Sequence, residues 1–208
     1  MRRYLLVMAA ALVGLPSAAS ALEVRAAERA PDGNAEVFGL PVDSLSAGVG
    51  YGNWTGEPAS DIAPGAGWNV NLDLDATQPV DLVVNYQGNV NSLTPSDLDE
   101  FNIYNNQLAA AAQIQPVQIG DVEPYVSGGI GVARASLAKN PRLNQQFQSD
   151  TMGVIPLAAG AQYDISNSIM IGAQAHLDVL FDNEILTQEN KTDADRWGFM
   201  INVGATRF

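Results

Sequence analysis

The sequence predicts an all-β chain, an eight-stranded antiparallel up-and-down transmembrane β-barrel, on three observations. Eight stretches alternate apolar and polar residues, the period-2 mark of strands with two unlike faces. The gaps between them run long, short, long, short, long, short, long. They are Thr55 to Gly65, Ala76 to Pro79, Ser92 to Phe101, Pro116 to Asp121, Ala138 to Asp150, Ser166 to Ser168 and Asp182 to Asp195. Hairpins that cross a bilayer keep tight turns on one side and let loops grow on the other, whereas a soluble sandwich has no reason to sort loops by parity. The third observation is that the large aromatic residues fall at stretch ends.

Each strand can be justified in order. In the first, Leu45, Ala47, Val49 and Tyr51 alternate with Ser46, Gly48, Gly50 and Gly52. The second sets Trp68, Val70, Leu72 and Leu74 against Asn69, Asn71, Asp73 and Asp75. In the third, Val80, Leu82, Val84 and Tyr86 oppose Asp81, Asn85, Gln87 and Asn89. The fourth, Tyr104 to Gln115, competes with a helix because of Ala109 to Ala112. Asn105-Asn106 is a poor helix interior, and a barrel needs an even strand count. The fifth is Glu123 to Leu137, with Val126, Ile130 and Val132 outward. The sixth points Ile155, Leu157, Ala159, Ala161 and Tyr163 outward against Pro156, Ala158, Gly160 and Gln162. The seventh sets Ile169, Ile171, Ala173, Ala175, Leu177 and Val179 against Gly172, Gln174, His176 and Asp178. The eighth offers Trp197, Phe199, Ile201, Val203 and Ala205.

The N-terminal residues name the compartment. Arg2 and Arg3 precede the apolar run Tyr4 to Leu15, and Ala19-Ser20-Ala21 offers small residues for cleavage, so 1–21 reads as a signal peptide. Residues 22–42 read as a periplasmic segment and 43–208 as the barrel. After Ala21 no run approaches the roughly 18 to 20 apolar residues of a spanning helix. The mature chain of about 187 residues is the size of one domain. With no cysteine there is no disulfide framework and no thiolate metal site. The formal charge of −13 becomes about −15 once Arg2 and Arg3 are removed, which excludes nucleic acid as a partner. An acidic surface suits cations instead, including the divalent ions that bridge lipopolysaccharide phosphates.

If odd strands rise from the periplasm and even ones descend, Trp54, Trp68, Tyr104, Phe181 and Trp197 fall at outer ends, and Tyr163 and Phe208 at inner ends. Amphipathic rings gather at headgroup level, so these residues predict an aromatic girdle.

Glu123-Pro124-Tyr125-Val126-Ser127-Gly128-Gly129-Ile130-Gly131 resembles the fifth strand of OmpA-type (OmpA/OmpX-like) small outer-membrane barrels, where a proline-tyrosine pair leads into a glycine-rich strand. Gly160-Ala161-Gln162-Tyr163-Asp164-Ile165-Ser166 is similar to the strand and tight turn that follow. The last residue, Phe208, resembles the closing residue of barrels inserted by the outer-membrane assembly machinery, and the resemblance implies that it is the assembly signal. Strict alternation from Trp197 points Phe208 to the lumen, so lipid exposure requires a bulge or register change near Gly204.

Candidate chemistry is sparse. His176, the one histidine, lies on the lumen face two residues before Asp178. Small barrels that deacylate lipid A use a serine close to such a histidine, but Ala175-His176-Leu177-Asp178 supplies none, and Ser166 and Ser168 lie at the other strand end. A lone His with Asp178 falls short of a four-ligand zinc site. Gly128-Gly129-Ile130-Gly131 has no helix to receive a phosphate, so its glycines serve curvature and packing. Asn53-Trp54-Thr55 and Asn190-Lys191-Thr192 match glycosylation acceptors only formally. Asp97, Asp99, Glu100, Asp193 and Asp195 lack the spacing of a calcium loop.

No catalytic, cofactor-binding or metal residue is therefore assigned. The functional expectation is an outer-membrane β-barrel with a structural or surface-interaction role, long acidic loops outside and short turns in the periplasm. Its partners would be outer-membrane lipid and lipopolysaccharide, the assembly machinery, and an extracellular ligand of the loops. The alternatives are a narrow cation-preferring pore or carrier of small apolar molecules, and a lipid A-modifying enzyme. Asp73, Asp75 and Asp81 form an acidic lumen cluster around one tight turn. No Lys or Arg is expected on the lumen faces to match these or Asp178; Arg134 and Arg196 are placed near the outer rim and Arg207 at the inner edge.

Overall fold

The computed structural model describes residues 35–56, 59, 62–77, 79–93, 101–137, 149–166, 168–181 and 194–206. The stretch 1–21 read as a signal peptide and Phe208 lie outside them. The described strands are β1 (Glu36–Val37), β2 (Leu40–Trp54), β3 (Gly65–Thr77), β4 (Val80–Leu93), β5 (Phe101–Ile114), β6 (Val122–Leu137), β7 (Asp150–Ser166), β8 (Ile169–Phe181) and β9 (Arg196–Thr206). From β2 onward each strand pairs antiparallel with the next, and β9 returns to β2 from Ser44↔Thr206 to Trp54↔Arg196. The result is a closed eight-stranded up-and-down barrel, whose circular pairing removes the free edges of an open sheet.

The two faces have opposite chemistry, as the alternation requires. Val49 is 70% exposed, Ile201 67% and Ile130 65%, whereas Asn69, Asn105 and Gln107 are no more than 2% exposed. Apolar side chains cover the outside and polar ones fill much of the inside, the reverse of a soluble core. No helix among the described residues is long and apolar enough to cross a membrane. The ambiguous alanine run is strand: Ala109 and Ala111 point in, while Ala110 and Ala112 point out. Ala109 and Ala111 also receive the backbone of Gly131 and Gly129, where any Cβ would fall within 2.7 Å of an alanine methyl.

Four details differ from the sequence reading. The sheet begins before residue 43, because Phe38 and Gly39 adopt positive φ values of 56° and 76° and turn β1 back onto β2. Two consecutive positive φ values suit the two-residue turn of a twisted hairpin. No bulge occurs near Gly204, since β9 keeps one register with β2 and β8 through Thr206 and Ala205. The irregularities lie elsewhere, at Val42/Ser44, Asp75/Thr77 and Asp164/Ser166, all at the turn end, where barrel rims commonly bulge. Loop parity is imperfect: 94–100 and 115–121 are equally long, and the latter is closed by Gly120 at φ 65° with Ile119 and Val122 exchanging backbone hydrogen bonds. Finally, Leu74 is wholly buried beside its partner Val42, although its phase predicts exposure.

Candidate functional site

The lumen is stratified, and its layers follow from which strand ends carry apolar residues in the inward phase. At the loop end, Trp54, Ile62, Ile103, Ala133, Ala135, Met152, Val154, Leu180 and Ala194 form one buried apolar cluster. It is clasped by Thr55 and Asp195, whose backbones and the Thr55 hydroxyl exchange hydrogen bonds of 2.8 to 3.3 Å. Asn91 ties the β2–β3 connection to the wall by donating its amide to the carbonyls of Gly52 and Ala63 at 3.1 and 2.9 Å.

Below this cluster lies a charged layer. Arg196, first residue of β9, points inward and meets Asp178 of β8 at 3.1 Å, with side-chain exposures of 5% and 1%. Gln107 bridges the pair: its amide donates to Asp178 Oδ1 at 3.2 Å, and its carbonyl oxygen accepts from Arg196 Nη2. Gln87 donates to Asp178 Oδ2 at 3.3 Å and lies 3.0 Å from His176 Nε2. With Gln87 as donor, Nε2 of His176 is the accepting nitrogen, and its Nδ1 has no partner among the described residues. The Arg196 guanidinium also lies 5.6 Å from the Trp54 ring centroid, within cation–π range.

Nearer the turn end, Tyr125 donates its hydroxyl to Gln174 at 3.2 Å across the inward face of Gly160, which has no side chain to obstruct it. A cavity of about 40 Å³ touches Asp73, Gln87, Tyr125, Gln174, His176 and Asp178. That is room for a few water molecules.

The site residues fall as follows. Trp68 and Trp197 face outward and are half-buried, while Tyr104, Phe181 and Tyr163 are outward and exposed. Trp197 packs in a triangle with Tyr51 and Phe199, ring centroids 5.9 Å apart. Trp54 corrects the girdle expectation: it is at the loop end but turned inward, 2% exposed. Alternation from Tyr51 carries Asn53 outward and Trp54 inward, so its neighbour's phase already contained this signal. Arg196 likewise corrects the expectation of a lumen without cations, since Trp197 outward puts Arg196 inward. Asp73 is buried and accepts the Ser44 hydroxyl, Asp81 is half-buried, and Asp75 is exposed opposite it in the ladder. The apolar cluster was missed altogether, although the unbroken run Val179-Leu180-Phe181 departs from alternation and marks both faces as apolar there.

Among solved structures, Neisserial surface protein A superposes with a TM-score of 0.60 at 14% identity, over 78% of this chain and 96% of that one. Ail, the attachment invasion locus protein of Yersinia pestis, in complex with the heparin analogue sucrose octasulfate, gives 0.50 at 15% identity, over 80% and 99%. No protein-family model matches the sequence, and no curated protein does. What is shared at these identities is the fold: this chain has the architecture of the small eight-stranded outer-membrane barrels, the class to which the OmpA/OmpX resemblance pointed.

Proposed function

We propose that this protein is an outer-membrane barrel with a structural or surface-interaction role, closed to solutes and without enzymatic activity. The filled lumen carries this reading, because among the described residues an apolar cluster stands above a buried Asp178–Arg196 layer, and together they obstruct a water path. Against a lipid A-modifying enzyme, the hydrogen-bond partner of His176 among the described residues is Gln87 and not a serine. The outer loops face the medium and the short turns the periplasm. Single cysteines placed at Gly56, Ser96, Asn144 and Glu189 should be labelled on intact cells, and those at Gln78 and Asn167 should not. Labelling at Asn167 in sealed cells rejects the orientation. Phe208 is the residue read by the assembly machinery, so its deletion should lower outer-membrane levels without changing synthesis; unchanged levels after fractionation reject that role.

A narrow cation-preferring pore is the second reading, favoured by the acidic cluster Asp73, Asp75 and Asp81 at the turn-end mouth. Such a cluster lowers the entry barrier for cations and raises it for anions. Reversal potentials in a salt gradient decide it: anion preference, or a selectivity unchanged when all three become Asn, removes it.

A further inference from the structure

Near the loop end, the outward wall of β4, β5 and β6 carries adjacent hydrogen-bonding side chains. Tyr86 donates its hydroxyl to Asn106 Oδ1 at 2.8 Å, and Asn106 is the ladder partner of Arg134. Partners across a ladder have Cβ atoms about 4.5–5.5 Å apart, so the two side chains leave the wall as neighbours. Tyr86 occupies the amide oxygen, which leaves the Asn106 NH₂ and the Arg134 fork as donors on one patch of surface. Arg134 is exposed and has no ion-pair partner among the described residues. Arg196 is the other Lys or Arg among them, and it is engaged inside the lumen.

The patch lies toward the loop end, because Arg134 stands close to Leu137, the loop end of β6, and the tilted strands of a barrel make its ladder row climb toward the loops from β3 to β6. Asn106 and Arg134 continue a row that starts at Trp68 and passes Gly88, whose missing side chain leaves room for the indole: a Cβ there would fall 2.3 Å from Trp68 Cζ2. Tyr104 lies two residues nearer the loops, opposite Ser136. Indole and phenol rings favour headgroup level, where phosphates lie.

We infer that Tyr86, Asn106 and Arg134 form a binding site for the phosphate of an outer-leaflet glycolipid, lipopolysaccharide in an outer membrane. The inference rests on the membrane reading above. A planar fork beside an amide donor matches phosphate oxygens, and in a chain of net charge −13 local geometry, not general attraction, must hold the anion. Arg134 binds the phosphate, Asn106 adds a donor, and Tyr86 positions Asn106.

The test uses the full chain refolded in micelles, titrated with diphosphoryl lipid A, with dephosphorylated lipid A and with inorganic phosphate, and read by native mass spectrometry. Arg134→Gln is expected to weaken retention of diphosphoryl lipid A about tenfold, as loss of a charge-assisted hydrogen bond does, and Asn106→Ala and Tyr86→Phe by less. All forms should hold the dephosphorylated lipid equally weakly, and inorganic phosphate should not displace the diphosphoryl lipid. Equal retention by wild type and Arg134→Gln overturns the inference. Displacement by inorganic phosphate makes this a free-anion site, and a change confined to the dimer fraction makes it a contact between copies; either overturns the lipid assignment. Heat-dependent gel mobility checks that each variant forms the barrel. Failure of the wild type to enter phosphatidylcholine vesicles would instead sink the membrane reading.

Discussion

Asp178 and Arg196 are almost wholly removed from water, and each has a further amide partner, so the charges are paired although Arg196 Nε has no partner among the described residues. Removing one member leaves the other as an uncompensated buried charge. Arg196→Met is therefore expected to cost about 3–5 kcal/mol in unfolding free energy. Adding Asp178→Leu removes the stranded carboxylate and should recover part of that loss. Urea titration of the protein folded in vesicles measures both; a double variant less stable than Arg196→Met alone would contradict this account of the pair. At this scale the sequence was legible for His176 and Asp178, whose inward phase follows from a clean alternation. Trp54 and Arg196 were misread because each sits at a strand end, where position along the axis is easy to assign and the facing depends on counting phase without slips.

Among the strands, the seam between β6 and β7 is the exception to continuous pairing. The ladder keeps one register from Val122↔Tyr163 to Ala135↔Asp150, yet Gly129 and Ile130 have no partners opposite Pro156 and Ile155. Pro156 has no N–H to offer the Gly129 carbonyl, and in the interior of a sheet proline removes one ladder bond. Pro156→Ala restores the donor and is expected to slow hydrogen exchange at Gly129 to Gly131, with a stability gain of roughly 1 kcal/mol. Exchange as fast as in the wild type would show that the gap has another origin. The eight barrel strands themselves were legible, even β5, because apolar and polar residues keep period 2 over most of each element. The inward apolar layer was not, because Ile103, Met152, Val154 and Leu180 are assembled from separate strands and become a cluster only when the barrel closes. Trp54→Ala, in the same cluster, should cost about 3–5 kcal/mol by leaving a cavity, read by the same urea titration. No loss of stability would mean that Trp54 only lines the rim.

For the whole molecule, the outward apolar wall and the filled interior belong together. An eight-stranded barrel is just wide enough for side chains to fill it, and here they do so in two ways, apolar at the loop end and hydrogen-bonded below. The loop pattern predicted a membrane barrel even though one pair of connections is equal in length, because strand alternation and aromatic placement carried the same conclusion. Single-channel recording of the refolded protein in planar bilayers tests the account most directly. A lumen closed as proposed predicts insertion without long-lived conductance steps, at either polarity of applied voltage. A stable open level, persisting for seconds and scaling with bulk salt conductivity, would mean a continuous water path through the lumen and would contradict it.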